Sequence, residues 1–149
     1  MSNKDEWEEA VAETETREEN DPDLGRFEIM NYPADTTLAG YVEQWDNKQL
    51  YIPPYQRKFV WDQVRASKLI ESFLLGLPVP GVFLYKERSS PRLQVIDGNQ
   101  RIHSVVFFRK QVFRDKKFVL KGVRPEWEGK AYDDLTDEDK FKFNTAVLR

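Results

Sequence analysis

The stretch that most constrains the fold is Val95-Ile96-Asp97-Gly98-Asn99-Gln100-Arg101, an apolar run that breaks off into five residues almost all able to bind something. Val95 and Ile96 fit a strand running inward, and Gly98 gives the backbone freedom for a sharp turn. Ile102, Val105 and Val106 then recur at helical spacing, so a helix begins near Asn99 or Gln100. A carboxylate, two side-chain amides and a guanidinium therefore gather where a strand hands over to a helix. The first-turn amides and positive dipole end of that helix suit an anion, and Arg101 adds a bidentate fork for phosphate.

Other segments read less densely. Residues 1–24 are dominated by Glu, Asp, Asn and Thr and cannot bury enough surface to offset ordering entropy, which predicts a disordered or loosely helical arm. Ordered structure is expected from Arg26, with a short strand at Phe27–Met30 and a turn at Asn31-Tyr32-Pro33. Leu38, Tyr41, Val42 and Trp45 predict a short helix capped by Asp35 or Thr36. Gln49 to Ile52 reads as a strand stopped by Pro53-Pro54. Gln63 to Leu75 is the clearest helix, with Asp62 as N-cap, an apolar stripe from Ala66 to Leu74, and Gly76 then Pro78 as stops. Strands follow at Val82–Tyr85 and Leu93–Ile96, joined through Ser89-Ser90-Pro91. A helix from Asn99 to Lys110, a strand at Phe118–Leu120, and a last helix through Leu148 opened by a Thr136/Asp139 capping box complete the reading. That helix is still apolar at Ala146-Val147-Leu148, as expected for a domain cut short. The pattern is α+β, several helices around a small mixed sheet.

Charge divides the chain. Residues 1–24 hold ten acids and two bases, net −8, whereas the remainder holds sixteen acids and twenty-one bases, net +5. The overall −3 thus conceals a mildly basic body, which favours phosphate-bearing partners or is simply a solvated surface. The absence of cysteine excludes disulfides, thiolate metal sites and cysteine nucleophiles. With a single histidine besides, no protein-built zinc site is available. No apolar run reaches membrane-spanning length and the N-terminus is acidic, so the expected location is the cytoplasm. No Walker-type phosphate loop occurs.

A second dense motif is Ile52-Pro53-Pro54-Tyr55-Gln56-Arg57, followed by Val60-Trp61-Asp62. Two prolines stiffen the backbone, Tyr55 and Trp61 offer stacking faces, and Gln56 and Arg57 offer directional donors. Together with the Asp97–Arg101 turn this set suits a nucleotide or nucleic-acid phosphate better than an apolar ligand.

Ile52 to Trp61, Leu69-Ile70-Glu71-Ser72 through Gly76-Leu77-Pro78-Val79-Pro80, and Val95 to Ser104 resemble the GmrSD-type N-terminal domain. The resemblance spans about Leu38 to Leu148 and places residues 25–149 in one domain. It implies a ParB/sulfiredoxin-like fold, a small mixed sheet with surrounding helices, in modification-dependent restriction and phage-defence systems. In that family an Asp-Gly-Gln-Gln-Arg signature is associated with nucleotide binding and hydrolysis that regulate a nuclease. Here it falls on Asp97, Gly98, Asn99, Gln100 and Arg101, and the Pro-x-Tyr-Gln-Arg element on Pro53, Tyr55, Gln56 and Arg57. Asn99 replaces the usual first Gln, and His103 stands where a small hydroxyl residue is usual. No His-Asn-His nuclease domain follows, so DNA cleavage by this chain alone is not expected.

The resemblance implies a nucleotide-binding, NTP-hydrolysing regulatory domain. Arg101 and Arg57 would hold phosphates, Asn99 and Gln100 would complete the cradle with Gly98 and Gln56 beside them, and Tyr55 would meet the base or ribose. Asp97, Gln100 and Arg101 would carry the chemistry, with Asp97 engaging Mg²⁺ or water. Each has a plainer alternative: Asp97 pinning the turn, Arg101 paired to Asp97 or Glu71, Gln100 bracing the loop, and Tyr55 packed in the core. His103 is either an acid–base participant or a packed ring. Arg114, Lys116, Lys117 and Lys121 either touch DNA or form a solvated turn. The competing functional classes are a non-catalytic interaction module, such as an inhibitor or counter-defence protein, and a DNA-binding domain. The partners to consider are a nucleoside triphosphate, DNA, and a nuclease or other defence protein.

Overall fold

The computed structural model describes residues 36–54, 58–86, 88–89 and 92–148. The acidic arm, the expected strand at Phe27–Met30 and the turn after it, and the Tyr55-Gln56-Arg57 triplet lie outside the described residues.

The described architecture is α+β. The order is α1 (Leu38–Asp46), β1 (Leu50–Tyr51), α2 (Gln63–Leu75), β2 (Phe83–Lys86), β3 (Leu93–Asp97) and α3 (Asn99–Lys110). A two-stranded hairpin, β4 (Val112–Phe113) and β5 (Lys116–Lys117), comes next, then a 3₁₀ turn at Tyr132–Asp134 and α4 (Asp137–Thr145). β3 is the centre of a three-stranded sheet, parallel to β1 and antiparallel to β2. Val95, fully buried in β3, faces the core with Leu93, while Asp97 ends the strand exposed.

α3 is the central helix. It packs against α1, α2 and the β4 hairpin, and Ile102, Val105, Val106 and Phe108 are all fully buried. Phe108 makes edge-to-face contacts with Phe118 at 5.4 Å and Phe143 at 5.5 Å between ring centroids, a geometry that aromatic quadrupoles favour. Polar side chains on this buried helix bond back to their own turn. Ser104 Oγ donates to the Gln100 carbonyl at 2.8 Å, and His103 Nδ1 meets the Asn99 carbonyl at 2.9 Å.

α2 has the bounds its sequence predicts. The Asp62 carboxylate accepts from Arg65 N–H at 2.7 Å, and Gly76 closes the helix in the left-handed region at φ 71°. α1 is capped by Thr37 rather than Asp35 or Thr36, because its hydroxyl accepts from Gly40 N–H at 3.0 Å.

Two further expectations are corrected. Phe118–Leu120 is not a strand; Phe118 and Leu120 are buried alternately, but their backbone bonds are single ones to Gln111, Lys130 and Gly129. The period-two pattern reports burial there, not ladder pairing. The last helix stops at Thr145 instead of Leu148: Ala146 turns extended, Val147 bridges antiparallel to Thr37, and Leu148 is buried. Tyr41 Oη donates to the Leu148 carbonyl at 3.0 Å, which fastens this segment to α1. Thr136 does cap α4, accepting from Asp139 N–H at 3.1 Å, while the Asp139 carboxylate accepts from Trp127 Nε1 at 3.0 Å. No helix among the described residues is long and apolar enough to cross a membrane.

Candidate functional site

The junction between β3 and α3 is built around Gly98. Its φ of 97° lies in the left-handed region, and a Cβ there would overlap Val82 Cγ1 and stand 2.9 Å from Val82 Cβ. Glycine is therefore required twice over, by backbone conformation and by the approach of Val82, the residue just before β2. Gly98 is also the N-cap of α3, and no side chain among the described residues caps that helix. Among the described residues its first turn thus lacks the side-chain cap that closes α1, α2 and α4.

Asp97 is exposed at the rim, and Arg101 lies one turn on with Nη2 3.7 Å from the Asp97 carboxylate. The same Nη2 donates to the Gly81 carbonyl at 2.6 Å. Arg101 Nε is buried without a partner, as is Oδ1 of the nine-tenths buried Asn99. Two buried polar atoms left unsatisfied within one turn are costly, on the order of 1–3 kcal/mol each.

Gln100 is engaged elsewhere. Its Oε1 accepts from Val60 N–H at 2.9 Å and Trp61 N–H at 3.3 Å, and its Nε2 donates to the Lys58 carbonyl at 2.9 Å. The amide thus splints a strap of residues 58–61 onto α3. Arg114 holds the strap from the other side, with Nη2 donating to the Phe59 and Trp61 carbonyls at 3.3 and 3.2 Å. Its guanidinium also lies over the rings of Phe59 and Phe113. Sequence reasoning placed Arg114 with the surface lysines; its left-handed φ of 54° at the hairpin turn was the feature no spacing could announce.

His103 sits in an aromatic enclosure, with ring centroids 5.3 Å from Trp45, 5.6 Å from Phe59 and 5.3 Å from Phe107. Burial pushes the imidazole below its ordinary value, against a smaller upward effect of the Asn99 carbonyl. A cleft of about 530 Å³ opens beside it, lined by Trp45, Lys48, Leu50, Tyr51, Ile52 and His103 together with Asp46. None of Asp97, Asn99, Gln100 or Arg101 lines this cleft; His103 is its link to the signature. Trp45 and Tyr51 were legible only as core and strand residues, because nothing local to them marks a cleft.

Tyr55, Gln56 and Arg57 lie outside the described residues, but both flanks are placed: Ile52 lines the cleft and Lys58 is bonded to Gln100. Among the described residues no three Asp, Glu or His side chains group as a metal site, so Asp97 stands as a single exposed carboxylate.

The site is thus a strand–glycine–helix junction in an α+β domain, with a glycine N-cap and an arginine one turn in. Residues 40–148 match the family model of the GmrSD restriction endonuclease, N-terminal domain, and the chain belongs to that family. It is thus a restriction-related domain. No curated protein and no solved structure matches the chain.

Proposed function

We propose that the β3–α3 junction binds the phosphates of a nucleoside triphosphate and that the domain regulates a restriction or defence nuclease through that binding. The observation that carries this reading is the terminus of α3, which has a glycine N-cap with no side-chain cap among the described residues and, one turn on, the buried and unpartnered Nε of Arg101. Phosphate oxygens are the natural acceptors for the first-turn N–H groups and for the remaining donors of Arg101. The Asn99 amide nitrogen is a further donor for the same anion. Asp97 at the rim engages Mg²⁺ or the attacking water. A single carboxylate fits Mg²⁺ that takes its other ligands from phosphate oxygens and water, and the ion would supply charge neutralisation at the terminal phosphate. Gln100 keeps the strap of residues 58–61 fixed against α3, and Arg57 is proposed as a second phosphate contact.

Calorimetry with ATP, GTP, CTP and UTP, with and without Mg²⁺, tests the reading. Binding is expected, Arg101→Ala should weaken it at least about tenfold, and Asp97→Ala should bind yet release no phosphate. Absence of binding to every triphosphate under both conditions overturns it.

A further inference from the structure

The cleft beside His103 has a volume of about 530 Å³, within the range of roughly 300–1,000 Å³ that accommodates small organic ligands. Its walls are Trp45, Tyr51, Leu50 and Ile52, its mouth carries Asp46 and Lys48, and His103 is the buried polar group. A carbonyl oxygen can only accept, so the 2.9 Å contact of Nδ1 with the Asn99 carbonyl places the ring proton on Nδ1. In the neutral ring Nε2 is then a bare acceptor, and among the described residues it has no partner. Unlike Asn99 Oδ1, it is not sealed in the interior. Aromatic walls around one acceptor suit a flat ring whose edge bears N–H groups.

Asn99 and His103 are four residues apart on α3, about 6 Å along the axis and on the same face. That is the scale of the ribose between a base and its first phosphate. We propose that the cleft receives the nucleotide's base, with His103 Nε2 accepting a hydrogen bond from the amino group of adenine or cytosine. This subsite rests on the phosphate reading above and adds selectivity to it: deamination replaces the donor with a carbonyl whose lone pairs face that of Nε2.

Calorimetry on the full chain compares ATP with ITP, CTP with UTP, and each with inorganic tripolyphosphate. The amino-bearing member of each pair should bind about tenfold tighter. His103→Phe should erase that preference while leaving tripolyphosphate affinity unchanged. A variant-free readout exists because His103 is the only histidine. Its Nε2 ¹⁵N resonance should move on addition of ATP or CTP and stay in place with tripolyphosphate. Equal affinities within both pairs, a preference that survives His103→Phe, or an unmoved Nε2 resonance overturns the base subsite. Tripolyphosphate binding as tight as nucleotide binding also overturns it and leaves the phosphate reading intact. No binding of tripolyphosphate or nucleotide overturns both.

Discussion

Two helix starts in this domain solve the same problem in opposite ways. α2 begins at Asp62, whose carboxylate accepts the Arg65 N–H at 2.7 Å and so closes the terminus with the chain's own atoms. α3 begins at Gly98, which has no side chain to offer, although Asp97 and Asn99 on either side both belong to good capping types. The first turn of α3 also contains the orphaned Asn99 Oδ1 and Arg101 Nε, whereas no such atoms occur in α2. One terminus is finished for stability; the other is left chemically open. On the proposed function, the domain accepts that cost at its most central helix because a ligand engages the junction.

The largest effect expected from breaking this contrast is at Gly98. Gly98→Ala combines a left-handed φ of 97° with overlap on Val82 and should cost about 3 kcal/mol in urea denaturation. Adding Val82→Ala should recover the steric part and leave the conformational part. If Gly98→Ala alone is as stable as wild type, the junction is looser than described and the contrast with α2 dissolves.

A smaller effect concerns pH and acts through His103 on α3. Burial holds the His103 pKa below its ordinary value of 6.5. Above that value the ring is neutral in both states, so its contribution is fully present. As pH falls below 6.5 the unfolded chain takes up the proton first, and stability is lost until the folded pKa is passed. Carboxylates titrate in the same range, so the measured quantity is the difference between wild type and His103→Phe, which should shrink on acidification. A difference that stays constant from neutral to acidic pH would mean the ring is solvated.

How much of this was readable beforehand differs between the two helix starts. α2 was legible from cap to stop, because Asp62, the apolar stripe and Gly76 are all local signals. The bounds of α3 and the glycine turn were equally plain. What the chain did with Gln100 was not: its three bonds reach residues about forty positions earlier, and no spacing rule encodes them. The same holds for the cleft, whose walls come from α1, β1 and α3 and meet only after folding. Phe118–Leu120 and Ala146–Leu148 misled for a related reason, since apolar pattern reports burial while the geometry was set by distant partners.

The finest test sets Asn99→Leu against Asp62→Ala. Removing the α2 cap should cost about 1 kcal/mol and leave tripolyphosphate affinity untouched. Leucine at 99 keeps the buried volume and deletes the unsatisfied amide, so stability should hold or rise by up to about 1 kcal/mol. The same change should lower tripolyphosphate affinity, because the junction loses the donor of the Asn99 amide. Opposite signs in stability, with binding lost in only one variant, are what an open and a closed terminus require. If Asn99→Leu instead destabilises the fold as Asp62→Ala does and binding is unchanged, the amide is a structural group and the two helix starts are alike.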